Sequence, residues 1–564
     1  MFRNSRVRGC GMLVGAIANS IFISFASAGQ YAITADPAVP RPSTTPCAVQ
    51  LFDGFRFDDF TPRTFQYAPP DQCPGPWAKV VLEGDFYVTA GRQFDRTANI
   101  WIGGACVYFG TTPEPSATIS PTWHFERDLT DYFGLFTMPH DGRVDLGNLV
   151  DSTYTGIIYG SADLKFYPLA DGEAAPMTAD VVLPLSGSPT GGTVGLDTTD
   201  SMLERTFTLP TNIERAYLDV FAQSQATDEF WMLCVPDDVA SVLRSCSGTG
   251  FRETEVAIDG QPAGVAPIYP WIFTGGIDPY LWRPVPGVQT LNFAPYRVNL
   301  TPFAGVLSDG QSHSVALSVY NANHHFSTTA SLLLFLDPGA TQVSGAVTLN
   351  TLDAGPMPDI QTRVSTMDGV TTGKVNIHSP RNFTIEGFVD TSHGRVQTRV
   401  QQSIDFASDQ EFNITSTTFA QALKQRTNIS LMTITNGVAQ LAASQRFQWP
   451  LTLTFSASPR PGGITARTTI VRQAFGDVDA LTQDGAPLSS GEISSVLNTK
   501  DTLLVMGSTI VGREDTASSH QYFSQDSSGG CYSRRIDSEG GVVTEIVDGE
   551  TCTPMLDGVA NDRR

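Results

Sequence analysis

Apolar residues alternate with small or polar residues over most of this chain. Between residues 314 and 319, for example, Val315, Leu317 and Val319 are separated by Ala and Ser. A period of two places the apolar side chains on one face of a β-strand. Turn dipeptides such as Asp259-Gly260 and Asp309-Gly310 separate these runs, as is typical of antiparallel sheets. The pattern predicts an all-β protein.

Helical periodicity is confined to two short segments, residues 239–243 and 418–423. An α/β core with parallel strands requires longer helices and is not expected. The chain has 564 residues, of which 41% are hydrophobic, so it can form several large cores. Its 51 Gly and 36 Pro indicate many turns. Together these features exclude intrinsic disorder, coiled coil and collagen.

The net charge of the chain limits the kinds of molecule that it is expected to bind. Acidic residues number 57 against 35 basic residues, which gives a net charge of −22. Phosphate backbones are bound mostly by Lys and Arg. Nucleic acid is therefore not a predicted partner.

The first 28 residues have the pattern of a secretory signal peptide. Arg3, Arg6 and Arg8 precede an apolar stretch over residues 12–25, and Ala26-Ser27-Ala28 follows as a cleavage signature. A membrane anchor is the alternative, but the stretch is short and polar residues interrupt it. The protein is predicted to be secreted or periplasmic, without a membrane partner and as a monomer.

Seven of the eight cysteines follow the signal, and six of them form local pairs. In an oxidising compartment such pairs predict disulfides. The predicted bridges are Cys47–Cys73, Cys234–Cys246 and Cys531–Cys552. The remaining Cys106 lies in a strand-like run and is interpreted as a buried thiol, with a catalytic nucleophile as the alternative.

An internal repeat indicates a duplicated domain. Residues 96–104 (RTANIWIGG) resemble residues 252–260 (RETEVAIDG), and residues 125–134 resemble residues 296–305 in the same order. The repeat predicts tandem jelly-roll-like β-sandwiches over residues 45–190 and 195–345. The Ser-, Gly- and Pro-rich segment 183–200 is interpreted as a linker between them, and residues 346–564 as a third, β-rich domain.

Familiar nucleophile and cofactor motifs are missing from the sequence, including G-x-S-x-G, H-E-x-x-H, the Walker loop and G-x-G-x-x-G after a strand. His324 and His325 are adjacent on a predicted strand, so their side chains point to opposite faces. Neither a metal site nor a cofactor is predicted.

Carboxylates instead occur in Gly- and Pro-rich loops beside Arg and Trp. Asp95 lies between Arg92 and Arg96, although a solvated turn with local ion pairs is an equal alternative. Prolines on both sides of Glu114 stiffen its loop, and Glu229 stands close to Trp231. A long loop over residues 269–286 contains Trp271, Trp282 and Arg283.

The long loop and the Glu114 loop occupy equivalent positions in the two repeats, so both are expected at the same end of their sandwiches. Trp residues in such loops commonly stack on the apolar faces of sugar rings. Trp231, Trp271 and Trp282 are therefore predicted to contact sugar, with a place in the core as the alternative.

Several of these segments also resemble a known family. The similar stretches are 91–96 (GRQFDR), 228–231 (DEFW), 251–264 (FRETEVAIDGQPAG), 273–284 (FTGGIDPYLWRP), 300–303 (LTPF), 381–394 (RNFTIEGFVDTSHG) and 531–534 (CYSR). They resemble the plant-type peptide:N-glycanases, the PNGase A family, and their acid-active bacterial members. The resemblance extends over nearly the whole chain after the signal.

The resemblance implies hydrolysis of the amide that joins the innermost GlcNAc to asparagine. It implies N-glycosylated peptides and glycoproteins as substrates, an acid working pH, and no metal. The products would be an Asp-containing peptide and a glycosylamine.

The residues that carry this chemistry are a hypothesis from motif position. Asp95 and Glu229 are expected to divide the acid and base work, with help from Glu114. Arg92 or Arg96 would bind the oxyanion or substrate. The expected glycan-binding residues are Trp231, Trp271, Trp282 and Arg283. A glycoside hydrolase and a non-catalytic carbohydrate-binding protein are the alternatives.

Overall fold

The computed structural model describes residues 32–437 and 439–549. The first of its three parts is a β-sandwich of eight strands: β1 (Cys47–Phe57), β2 (Arg63–Tyr67), β3 (Trp77–Val88), β4 (Thr97–Ile102), β5 (Ala105–Thr111), β6 (Thr122–Asp128), β7 (His140–Asp145) and β8 (Ile158–Pro168). Its two four-stranded sheets have the orders β1-β8-β3-β6 and β2-β7-β4-β5, and all pairs are antiparallel.

The second part is a sandwich of nine strands: β9 (Val181–Pro184), β10 (Val194–Thr198), β11 (Met202–Thr208), β12 (Ile213–Ser224), β13 (Glu253–Ile258), β14 (Gln261–Pro267), β15 (Tyr296–Asn299), β16 (Ser312–Tyr320) and β17 (Asn323–Leu336). One sheet has the order β10-β17-β12-β15, with β9 also paired to β17, and the other has the order β11-β16-β13-β14. Two short helices, α1 (Asp237–Leu243) and α2 (Ala304–Leu307), lie in its connections.

The predicted duplication is visible in the topology. Each strand of the first sandwich has a counterpart at the same place in the second, because β1-β8-β3-β6 corresponds to β10-β17-β12-β15 and β2-β7-β4-β5 corresponds to β11-β16-β13-β14. The matched hairpins turn at Gly103-Gly104 and at Asp259-Gly260, and all four residues have positive φ. Two-residue hairpin turns of this kind match the right-handed twist of the flanking strands.

The third part is a single antiparallel sheet of eleven strands: β18 (Ser344–Asn350), β19 (Asp359–Met367), β20 (Val370–Thr391), β21 (Gly394–Ile414), β22 (Phe419–Asn436), β23 (Gln440–Arg460), β24 (Ile464–Gln483), β25 (Ala486–Met506), β26 (Thr509–Asp526), β27 (Cys531–Glu539) and β28 (Val542–Asp548). Strands β20 to β28 follow one another as a meander. Along β20 and β21, buried residues alternate with residues that face solvent, so one face of this sheet is buried. The all-β prediction is confirmed.

Two local predictions are wrong. Residues 418–423 were expected to be helical, but β22 begins at Phe419 and pairs along its length with β21 and β23. The weak helical pattern does not decide the structure here, because pairing with a strand on each side satisfies the backbone hydrogen-bonding groups of β22. The segment 183–200 is not a plain linker, since it contains the end of β9 and all of β10. The boundary between the sandwiches therefore lies between Pro168 and Val181 and not near residue 190.

The third part holds the long loop between β14 and β15 through side-chain amides. Gln473 of β24 donates Nε2 to Pro270 O at 2.8 Å and accepts the Val288 N–H at 3.0 Å. Tyr269 donates its hydroxyl to Ala474 O at 3.1 Å. Buried loop backbone needs such partners, because an unpaired polar group inside the protein costs free energy. The C-terminal sheet therefore fixes the course of this loop.

The disulfides Cys47–Cys73 and Cys234–Cys246 are present, as predicted. Cys552 and the predicted signal peptide lie outside the described residues, so the third bridge and the signal remain predictions. Burial raises the pKa of the Cys106 thiol to about 12, which makes it an inert buried thiol. Across residues 32–437 and 439–549, none of the helices combines the length and the apolar character needed to cross a membrane.

A buried ion pair anchors the connection between β12 and β13. Arg252 donates to Asp228 Oδ1 from Nε at 3.1 Å and from Nη2 at 2.8 Å, and both side chains are almost fully buried. Asp228 Oδ2 accepts the backbone N–H groups of Asn323 and His325, while Arg252 Nη1 donates to three loop carbonyls between residues 248 and 251. The pair therefore ties this loop to β17.

We expect Arg252→Met to lower the free energy of unfolding by about 3–5 kcal/mol, because it leaves the Asp228 carboxylate buried without its partner. Urea unfolding followed by fluorescence measures the change. The matched control is Arg395→Met, which removes an exposed ion pair with Asp390 and should leave the midpoint nearly unchanged. Equal midpoints for both variants would contradict the anchoring role.

Candidate active site

Four loops at corresponding ends of the two sandwiches form the candidate site. In the first sandwich, the β3–β4 loop carries Asp95 and the β5–β6 loop carries Glu114. In the second, the β12–β13 loop carries Glu229 and the β14–β15 loop carries Asp278 and Arg283. Because the strands correspond one to one, these are two equivalent pairs of loops. The site thus combines the β3–β4 and β5–β6 loops of the first sandwich with the equivalent β12–β13 and β14–β15 loops of the second.

Hydrogen bonds between the sandwiches bring these loops together. Thr274 Oγ1 donates to Thr112 O at 2.6 Å, and the Thr111 N–H donates to Thr290 O at 2.9 Å. Within the first sandwich, Arg96 and Thr112 bond to each other through the Thr112 backbone N–H and the Thr112 hydroxyl. The Asp95 and Glu114 loops are therefore locked together and then joined to the loop from the second sandwich.

Gly275 of the second sandwich lies very close to the two acids of the first. Its backbone N–H donates to the Asp95 carboxylate. A Cβ at this position would lie closer than 3.0 Å to both Asp95 Oδ1 and Glu114 Oε1. Only glycine allows the backbone to pass so near the two acids. Gly275 was not among the predicted site residues.

Asp95 and Glu114 stand next to each other in partly buried surroundings. Burial raises the pKa of Asp95, and the Gly275 N–H and the charge of Arg96 oppose the rise. Burial, followed by the nearby charge of Asp95, raises the pKa of Glu114 to about 7. Glu114 Oε2 lies 3.3 Å from Arg283 Nη2. The two acids and the guanidinium form one electrostatically coupled group.

Glu229 belongs to the same group. Burial raises its pKa to about 7, and the charge of Asp95 adds to the rise. The structure thus brings together all three carboxylates that the sequence proposed, although they come from three different loops. The buried ion pair between Asp228 and Arg252 holds the backbone next to Glu229 in place.

Arg92, Arg96 and Arg283 differ in the groups that they contact. Arg283 also donates from Nη2 to Pro115 O at 3.0 Å, so it bridges the backbone and the Glu114 carboxylate. Arg96 lies beside Asp95 but donates to Gln93 Oε1 at 2.7 Å. Arg92 is exposed, and its guanidinium lies 5.3 Å from the centre of the Tyr154 ring. Arg283 is therefore the guanidinium bound directly to a cluster carboxylate.

Two of the predicted sugar-binding tryptophans are core residues instead. Trp231 and Trp282 are only 1% and 3% exposed, and the Trp282 indole donates to Gly276 O at 2.8 Å. The prediction of sugar stacking is wrong for both, because short 3-10 turns over 231–233 and 279–282 place these indoles in the core. Trp271 is also largely buried, but it lines a cavity.

A fourth acid, Asp278, lies in the long loop but was not among the predicted site residues. Its Oδ1 accepts the Tyr280 N–H at 2.9 Å, and its carboxyl group shares a hydrogen bond with that of Asp501 on β25. Burial and then the neighbouring Asp501 raise the pKa of Asp278 to about 7. Asp501 in turn accepts from Arg513 Nη2 at 3.0 Å. The sequence could not show this contact, because Asp501 belongs to a distant strand.

The arrangement supplies the groups needed for acid–base hydrolysis. It combines three coupled carboxyl groups with one guanidinium in partly buried surroundings. When one of two such acids is ionised and the other is protonated, the first can serve as the base and the second as the acid. Among the described residues, no group of three or more His, Cys, Asp or Glu side chains is suited to hold a metal ion.

Comparison with known proteins gives a consistent assignment. Residues 37–348 match the family described as peptide N-acetyl-beta-D-glucosaminyl asparaginase amidase A. The chain is 31% identical over 395 residues to peptide-N4-(N-acetyl-beta-glucosaminyl)asparagine amidase A of Prunus dulcis, which covers 65% of this chain and 67% of that protein.

Solved structures give weaker matches. PNGF-II is similar at a TM-score of 0.36 and 12% identity, over 51% of this chain and 65% of that chain. PNGase F, a glycosylasparaginase from Flavobacterium meningosepticum, is similar at a TM-score of 0.34 and 14% identity, over 51% of this chain and 96% of that chain.

The family match spans both sandwiches and therefore all four loops of the candidate site. The chain belongs to the peptide N-acetyl-beta-D-glucosaminyl asparaginase amidase A family, the PNGase A family that its sequence motifs predicted.

Proposed function

We propose that the protein hydrolyses, at acid pH, the amide bond between the innermost GlcNAc and the asparagine of N-glycosylated peptides. As a member of its family the chain is an amidase. The observation that supports the proposed site is the coupled group of Asp95, Glu114 and Glu229 beside Arg283. The two disulfides support the predicted export, since such bonds persist in oxidising compartments.

In the proposed mechanism Asp95 is the general base. Burial raises the pKa of Asp95, and the Gly275 N–H and the charge of Arg96 oppose this rise by stabilising the ionised form. Asp95 takes a proton from water, and the water oxygen attacks the carboxamide carbon of the glycosylated asparagine. Arg283 stabilises the negative oxygen of the tetrahedral intermediate. This role was expected of Arg92 or Arg96, but Arg283 is the one bound to a cluster carboxylate.

Glu229 completes the reaction as the general acid. It donates its proton to the departing nitrogen when the C–N bond breaks, so the products are an Asp-containing peptide and a glycosylamine. Glu114 stays protonated at acid pH, and its carboxyl group still accepts a hydrogen bond from Arg283 Nη2 and so holds the guanidinium in place. Two acids with a pKa of about 7 are both protonated near pH 5. An acid working range therefore suits this site.

We expect Asp95→Asn to lower kcat by about a thousandfold, because the amide cannot take a proton from water. Mass spectrometry of an N-glycopeptide incubated with the wild type at acid pH should show the free glycan and a peptide in which Asn has become Asp. Asp171→Asn, an exposed acid in a turn, is the control and should keep full activity.

The same experiment separates the alternatives. A peptide that still carries GlcNAc would indicate a glycoside hydrolase, and an unchanged but bound glycopeptide would indicate a carbohydrate-binding protein. Retention of activity by Asp95→Asn would contradict the assignment of the base.

Gly275→Ala tests the close approach of the two sandwiches. The added methyl group would overlap the carboxylates of Asp95 and Glu114, so we expect kcat/KM to fall about a hundredfold. Gly355→Ala is the control, because no atom lies within 4 Å of a Cβ at that site. Thermal unfolding of both variants checks that the loss does not come from misfolding. Full activity of Gly275→Ala would contradict the described geometry.

The pH dependence of kcat/KM tests the role of Glu229. Its acid form is the active one in this mechanism, and its raised pKa of about 7 keeps that form dominant at acid pH. Activity should fall about tenfold per unit as the pH rises above that value. Circular dichroism over the same range checks that the fold persists. Activity that rises between neutral and alkaline pH would exclude Glu229 as the acid.

A further inference from the structure

The cavity lined by Trp271 lies between the second sandwich and the C-terminal sheet. Its volume is about 410 Å³, within the range of about 300–1,000 Å³ that is typical of ligand pockets. Strands β12, β13 and β14 and the long β14–β15 loop supply one wall, and strands β23 and β24 supply the other. Asp95, Glu114 and Glu229 are not among the residues that line it. The cavity is thus distinct from the carboxylate cluster.

Aromatic rings dominate the lining of this cavity. Trp271 and Tyr296 come from the second sandwich, while Phe447, Trp449 and Phe475 come from the C-terminal sheet. Phe447 and Trp449 are two residues apart on β23 and so share one face of the strand. The Trp449 and Phe475 rings are inclined by only 20° to each other. The cavity therefore offers several flat apolar surfaces.

The charged groups of the cavity favour a neutral molecule. Gln445 Nε2 donates to both oxygens of Asp477, at 3.2 and 3.0 Å, and this carboxylate lines the cavity. The cation among the lining residues, Arg297, is already paired with Asp131 and Asp219. An anionic ligand would meet the Asp477 carboxylate without a free cation to compensate.

We propose that this cavity binds a neutral pyranose ring of a glycan. A pyranose presents an apolar C–H face to an aromatic ring and hydroxyl groups at its edge. The rings of Phe447 and Phe475 would contact the face, and Gln445 and Asp477 would bind the hydroxyls.

The β14–β15 loop connects the cavity to the proposed site of reaction. Trp271 and Gln289 of this loop line the cavity, and Gly275 and Arg283 between them contact the carboxylate cluster. Resting on the proposed function, the inference is that the bound ring belongs to an N-glycan and lies beyond the GlcNAc whose amide is cleaved. The cavity would then recognise the glycan and not the peptide.

Calorimetric titration with a free high-mannose N-glycan tests this site without any hydrolysis. In an Asp95→Asn background, we expect Phe447→Ala to weaken binding about fivefold through loss of stacking. Phe455→Ala is the matched control, because Phe455 lies on the same strand and is also half-buried but does not line this cavity. Its affinity should equal that of the background.

A second variant keeps the test independent of folding. Asp477→Asn keeps the size of the side chain and replaces one carboxylate acceptor with an amide donor, so we expect binding about fivefold weaker with little change in thermal unfolding. Absence of binding to the background protein, or equal affinity of the Phe447 and Asp477 variants and the background, would overturn the proposal. Glycan binding that depends on these residues in a protein that does not hydrolyse glycopeptides would uphold the cavity and refute the proposed function instead.

Discussion

The candidate site depends on the close backbone contact between the two sandwiches. The Gly275 N–H reaches the Asp95 carboxylate, and the Thr274 hydroxyl reaches Thr112 O. Without this contact the acids of the first sandwich and the guanidinium of the second would belong to separate surfaces. The absence of a side chain at Gly275 is what lets the loop approach so closely. Duplication supplied two sets of loops, and this contact turned them into one site.

The contact has an electrostatic consequence. It collects Asp95, Glu114 and Glu229 where water is partly excluded, so the three cannot all be charged at once at low cost. Protons are therefore retained on Glu114 and Glu229 up to about pH 7. The C-terminal sheet extends the arrangement, because Asp501 shares a hydrogen bond with Asp278 and Thr499 donates to Leu281 O at 2.8 Å. This sheet thus supports the loop that carries Arg283.

Sequence patterns were informative where they reported local geometry. Alternation with period two identified strands, and the matched segments 96–104 and 252–260 identified equivalent hairpins. Their equivalence was enough to place Glu114 and the long loop at the same end of their sandwiches. The patterns misled where neighbours outside the segment decide the outcome. Trp231 and Trp282 lie in loops like sugar-binding residues, yet the core beneath the C-terminal sheet covers them.

The all-β class, the duplication, the family and the loops that carry the acids follow from the order of residues alone, since strand periodicity and turn chemistry act over a few neighbouring positions. The tertiary structure decided which acids share one electrostatic environment, which arginine binds them, and which indoles are buried. Asp278 and Asp501 meet although more than two hundred residues separate them. Burial and long-range charge interactions set the pKa values of the site, and both arise only when distant segments pack together.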